Sequence, residues 1–132
     1  MARIKDVVID CVRPASVARF WAAALDGYAL APYDDAEIAR LAAIGIDDVE
    51  DDPTVLVVGP DGAPRFYFRR VDDPTHGKNR VHLDLRADDQ DAEAVRLVAL
   101  GAQVFDDRRA SGDRWIVMTD PEGNEFCLFG AD

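Results

Sequence analysis

One order of elements can be read twice along this chain: a β-branched strand, an amphipathic helix closed by a glycine, and three short strands separated by turns. In the first copy, residues 4–11 (IKDVVIDC) read as a strand, and Pro14 suits the first turn of a helix. Val17, Phe20, Trp21, Ala24 and Leu25 then recur at helical spacing, Gly27 stops the helix, and strands are expected over 28–31, 54–58 and 65–71. In the second copy, residues 79–86 form the strand, and Asp88 or Asp89 caps a helix running to Leu100. Its inner face is Ala94, Leu97 and Val98, Gly101 ends it, and strands follow over 102–105, 115–119 and 125–129. Asp6 precedes Gly27 by 21 residues and His82 precedes Gly101 by 19, so the two copies share a length as well as an order. The expected fold is therefore α+β, a single domain of 132 residues built from two tandem βαβββ modules, about 1–72 and about 78–132. Residues 34–52 are left over. They carry eight acidic side chains against the single Arg40, and read as a solvated acidic excursion with a weak helix around Ile38, Leu41, Ala42 and Ile44.

The chemistry of the chain is concentrated in residues 79–86 (NRVHLDLR). Apolar and polar residues alternate there, so Val81, Leu83 and Leu85 share one face of a strand while Arg80, His82, Asp84 and Arg86 share the other. A histidine is thereby set between a guanidinium and a carboxylate. The first strand repeats the theme with Asp6 and Asp10 on one face, for which Arg80 and Arg86 are the expected ionic partners. His82 itself has Asp84 or Asp10 as a structural partner.

Charge and composition narrow the partners. A net charge of -11 and a pI near 4.4 disfavour a nucleic acid, whose binding depends on Lys and Arg displacing counterions. The apolar runs are shorter than the roughly 18 residues that span a bilayer, so no membrane partner is expected and the expected location is the cytoplasm. Cys11 and Cys127 show no metal-type spacing and read as unbridged thiols. Phosphate-loop, dinucleotide, zincin and serine-hydrolase motifs are not found in the sequence.

Several segments together carry a family resemblance: Phe20-Trp21 followed by LDGY at 25–28, GIDDVEDDP at 45–53, the strand around Phe66-Tyr67-Phe68, GKNRVHLDLRADD at 77–89, and DPEGNEFCLF at 120–129. On these residues the chain resembles the glyoxalase/bleomycin-resistance/extradiol dioxygenase superfamily, also called the vicinal oxygen chelate superfamily, within its glyoxalase-like domain group. The resemblance implies paired βαβββ modules whose curved mixed sheets surround a cleft, commonly in a homodimer. It also implies a divalent metal in the enzymes of the superfamily. Carried over position by position, the metal ligands fall on Asp6, His82 and Cys127, where histidine or glutamine, histidine and glutamate are usual. No carboxylate stands in residues 65–71, where glyoxalases carry a glutamate.

That departure leads to a reading without the usual catalytic metal and with no assigned catalytic residue. The expected function is small-molecule binding, with a ligand held by Asp6, Asp10, His82, Asp84, Glu125 and Cys127, and by Tyr67 and Trp115 as stacking surfaces. Acidic lining of this kind favours a cationic or amine-bearing ligand. His76, in the connector before the second module, is expected to be solvent-exposed. The alternatives are a metal-dependent lyase, isomerase or dioxygenase, and a protein-association module with a degenerate cleft.

Overall fold

The protein is described here as a computed structural model covering residues 1, 3–73, 79 and 81–131. It is an α+β chain with two four-stranded mixed sheets, and it divides into two compact units, Met1–Pro74 and Thr75–Asp132.

The first unit runs β1 (Asp6–Cys11), α1 (Pro14–Ala24), β2 (Ala29–Leu30), α2 (Asp35–Ala43), β3 (Thr54–Val58) and β4 (Arg65–Arg70), with a 3-10 turn at Val49–Asp51 before β3. Its sheet order is β1-β4-β3-β2, with β1 parallel to β4 and the other pairs antiparallel. Period-2 alternation sorts the side chains. Val55, Val57, Phe66 and Phe68 turn inward against α1, where Val17, Ala18, Phe20 and Trp21 are all buried. Trp21 stacks on Phe66 with ring centroids 6.4 Å apart, and Tyr28 meets Phe66 edge-on at 5.5 Å. Burying side chains of this size contributes about 1.5–3 kcal/mol each, and this layer fixes the sheet with its opposite face turned away from α1.

Gly59 is needed by the same layer for a steric reason. A Cβ there would enter the Tyr28 ring, whose hydroxyl donates to the Pro64 carbonyl at 2.9 Å.

The second unit runs β5 (Leu83–Arg86), α3 (Gln90–Leu100), β6 (Gln103–Ala110), β7 (Asp113–Thr119) and β8 (Glu125–Phe129), in sheet order β5-β8-β7-β6. Asp89 caps α3 by accepting from the Ala92 amide at 3.0 Å, and Gly101 ends the helix at φ +119°. Leu97, Ile116, Met118, Phe126 and Leu128 form the core. Gln90 ties helix to sheet by donating to the carbonyls of Arg114 at 3.1 Å and Leu128 at 2.8 Å. The turn before β8 closes on the buried Asp120, whose carboxylate accepts from the Glu122 and Asn124 amides and from the Asn124 side chain.

Several expectations are corrected. The strand read over 79–86 is regular only from Leu83 to Arg86, and Val81 is 77% exposed, with Arg80 outside the described residues. Val98 lies on the outer face of α3, not the inner. The strand read over 102–105 continues to Ala110, because a bulge between Val104 and Asp106 lets a strongly charged strand go on pairing with β7. His76 lies outside the described residues.

The acidic excursion is a built element. Asp34 caps α2 through the Glu37 amide, Leu41 is buried, and Asp52 is only 1% exposed.

Candidate functional site

In the first unit the face turned away from α1 carries Asp6, Val8 and Asp10 from β1, Arg65, Tyr67 and Arg69 from β4, and Thr54 and Leu56 from β3. The parallel register of β1 on β4 sets Asp6 beside Arg65 and Asp10 beside Arg69. The Arg65 guanidinium donates to both oxygens of Asp6, at 2.7 and 3.0 Å, and Arg69 donates twice to one oxygen of Asp10, at 3.1 and 2.9 Å. The Asp6 hydrogen bond is the main cause that raises the Arg65 pKa. Arg65 also lies 5.7 Å from the centre of the Tyr67 ring.

Asp6 is thus paired with Arg65 and more loosely, at 3.9 Å, with Lys5, and Asp10 with Arg69, in place of the expected Arg80 and Arg86. The reason is register: residues 59 apart in sequence become neighbours when β1 and β4 pair in parallel, a fact alternation within either strand does not contain.

Where this face meets α2 there is a hollow of about 490 Å³, lined by Ala31, Pro32, Tyr33, Asp34, Glu37, Arg40, Asp52, Thr54, Leu56 and Tyr67. At its floor the Tyr33 hydroxyl donates to Asp52 at 2.8 Å, and Asp52 also accepts from the Thr54 amide at 2.9 Å. Burial, and then this hydrogen bond to a carboxylate, push the Tyr33 hydroxyl well above the usual phenol range. Arg40 donates to Glu37 at 2.9 and 2.6 Å and stands 3.9 Å from Asp52. Two carboxylates, Glu37 and Asp52, therefore stand beside one guanidinium, and Asp34 and two tyrosines also line the hollow. Tyr67, expected from the sequence as a stacking surface, lines this hollow. Tyr33, Arg40 and Asp52 were not expected there, because a dense acidic segment reads as solvated unless its buried members are known.

The second unit places Asp84, Arg86, Trp115, Glu125, Cys127 and Phe129 on the sheet face opposite its core. Trp115 stacks on Phe129 at 6.4 Å. His82, just before β5, sets Nδ1 3.3 Å from an Asp84 oxygen, so Asp84 is the partner the geometry gives it. Cys127 is the strand neighbour of Asp84 on β8.

One donor atom each from His82, Asp84 and Cys127 lies within 4.8 Å of the others. A tetrahedral ion at bond lengths of about 2.0–2.3 Å needs donors roughly 3.3–3.8 Å apart. Rotations of the exposed His82 and Asp84 side chains cover that difference, so a nitrogen, oxygen and sulfur donor set fits a divalent ion. Glu125 is on the same face but outside this cluster, its amide donating to the Asn79 side chain at 3.1 Å. Asp6, the remaining ligand position implied by resemblance, belongs to the first unit and is held by Arg65. Neither cysteine is in a disulfide. Among the described residues no helix is long and apolar enough to cross a membrane.

Residues 6–129 match the family described as the glyoxalase-like domain. Solved structures share the fold. A glyoxalase/bleomycin resistance protein/dioxygenase family enzyme from Burkholderia phytofirmans PsJN is 15% identical with a TM-score of 0.69, covering 98% of each chain. The antibiotic binding protein TnmS3 from Streptomyces sp. CB03234 is 20% identical with a TM-score of 0.58, covering 100% of this chain and 98% of that one. Lactoylglutathione lyase from Agrobacterium tumefaciens is 16% identical with a TM-score of 0.59, covering 99% and 95%. No curated protein matches.

Proposed function

Because the chain belongs to the glyoxalase-like domain family, we propose that it is a small-molecule-binding protein whose ligand is an aromatic or partly apolar amine. The observation that carries this reading is the hollow of the first unit, with Tyr33 and Tyr67 as aromatic walls and Asp34, Glu37 and Asp52 outnumbering Arg40. Its size, about 490 Å³, suits a small organic ligand, since such sites run from about 300 to 1,000 Å³. A cation gains there from the carboxylates and from the faces of the tyrosine rings. That the structural neighbour TnmS3 is an antibiotic binding protein supports small-molecule binding as a use of this fold.

Equilibrium dialysis of the protein against a planar aromatic amine, and against the same compound N-acetylated to remove its charge, tests the reading. The amine is expected to bind at least about tenfold tighter, a difference of roughly 1.4 kcal/mol, and Tyr67→Ala is expected to cost a similar factor. Equal affinity for the two compounds, or an unchanged affinity in Tyr67→Ala, refutes it. A second reading, a metal-dependent lyase, isomerase or dioxygenase, is favoured by the donor cluster of His82, Asp84 and Cys127. Homodimer formation and a cytoplasmic location complete the proposal.

A further inference from the structure

We infer that the second unit binds a planar aromatic carboxylate on the face of its sheet turned away from the core, stacked against Trp115 and Phe129 with its acid group on Arg108. The site is independent of the amine hollow, which belongs to the first unit, so either can fail without the other.

Strand register builds it. Arg86 on β5 stands opposite Phe129 on β8, Phe129 opposite Trp115 on β7, and Trp115 opposite Arg108 on β6. Directly paired residues share a sheet face, so one row reads arginine, phenylalanine, tryptophan, arginine across all four strands. At about 4.8 Å between strands the row is roughly 14 Å long, which accommodates two fused rings between the guanidinium groups. The acids of this face lie in other rows. Asp84 and Asp106 flank Cys127 and Val117 one step along the strands, about 7 Å away, Glu125 lies a further step beyond, and Asp113 pairs with Ala110 one step back, at the turn.

The row also offers the right contacts. The Trp115 and Phe129 rings are 6.4 Å apart with 20° between their planes, and both are half-buried, so a flat ligand extends their stack. Among the described residues the Trp115 indole N–H makes no hydrogen bond. Arg108 donates through Nε to Asp106 at 2.8 Å, which fixes the fork and leaves its two terminal nitrogens without a partner among the described residues. That edge of a guanidinium takes a carboxylate through two parallel hydrogen bonds. Its side chain is 53% exposed, so a ligand reaches it from solvent. Asp106 first, and then Cys127 and Glu125 of β8, raise the Arg108 pKa, which fits a cation lying over the sheet face and not out beyond its edge. Arg86, exposed at the far end of the row, adds positive charge beside Phe129. A neutral ring gains only the stack here, whereas an aromatic acid gains the stack and the charge.

Isothermal titration calorimetry with 2-naphthoate, and with its methyl ester, which keeps the rings and loses the charge, tests the site. The expected result is one naphthoate per chain, bound at least about tenfold tighter than the ester, as a hydrogen bond to a charged group implies. Arg108→Gln, a change at an exposed position, is expected to erase that preference and leave the affinity for the ester unchanged. Trp115→Ala is expected to weaken both compounds at least about tenfold. Circular dichroism checks that each variant is folded. If Trp115→Ala is not, Trp115→Phe keeps a ring and removes the N–H, and is expected to weaken naphthoate while sparing the ester. Tyr67→Ala, in the hollow of the first unit, is expected to change neither affinity. No binding of naphthoate, equal binding of acid and ester, or a preference that survives Arg108→Gln overturns the site, as does a loss of naphthoate binding in Tyr67→Ala.

Discussion

Asp52 is the most exacting test of the first unit, because it is a carboxylate at 1% exposure whose described partners are specific. Asp52→Ala removes an acceptor from the Tyr33 hydroxyl at 2.8 Å and from the Thr54 amide at 2.9 Å. A hydrogen bond to a charged group contributes about 1.5–3 kcal/mol. Tyr33 and Thr54 are themselves only half-buried, so water recovers part of the loss, and the expected destabilisation is about 2–4 kcal/mol. At roughly 2.1 cal/mol/K of unfolding entropy per residue, 1 kcal/mol lowers Tm by about 4 °C if the whole chain unfolds together. It lowers Tm by about 6 °C if the first unit unfolds alone. Calorimetry is therefore expected to show Asp52→Ala melting at least about 7 °C below wild type. Asp52→Asn keeps an acceptor for Thr54 and is expected to lose only about 1 kcal/mol. In a Tyr33→Phe background the cost of Asp52→Ala should fall by the shared bond, which a double-mutant cycle isolates. A shift below about 3 °C for Asp52→Ala would refute the claim that this carboxylate anchors the hollow.

Other expectations follow from the same geometry. The Tyr33 phenol is held above its ordinary value of 10.0 by burial and by Asp52, so an ultraviolet pH titration should show one late tyrosine that disappears in Tyr33→Phe. The stability it adds is fully present below the ordinary phenol pKa and is lost as pH rises through the higher folded one. A double-mutant cycle should give a larger coupling for Asp6 with Arg65, which is bidentate and less exposed, than for the more exposed Asp10 with Arg69. Couplings that are equal, or reversed, contradict that ranking. Gly59→Ala should destabilise by about 1–3 kcal/mol in urea unfolding, because its Cβ displaces the Tyr28 ring and breaks the bond to Pro64. A variant as stable as wild type would show that the ring moves freely.

Much of the fold was legible in the residues themselves. The helical stripe through Trp21, the Gly101 stop and a cap at Asp89, one of the two aspartates offered for it, are local devices acting over a few residues, and each stands within what the sequence expected. Readings failed where the deciding partner was distant or the burial collective. Val81 alternates correctly yet is exposed, since regular pairing begins only at Leu83. Val98 falls on the helical stripe, but the core closes around Ala94 and Leu97 without it.

The residues of the candidate sites divide along the same line. Sequence alone determined that Asp6 and Asp10 share one strand face and that His82 and Asp84 share another, because a pleated strand has a fixed period of two. Tertiary structure decided that Arg65 and Arg69 pair with the first two carboxylates, that Cys127 joins His82 and Asp84, and that Asp52 is buried under Tyr33. Strand register and helix docking are settled by the whole packed layer, so a charge's partner belongs to the fold even when the charge is plain in the sequence.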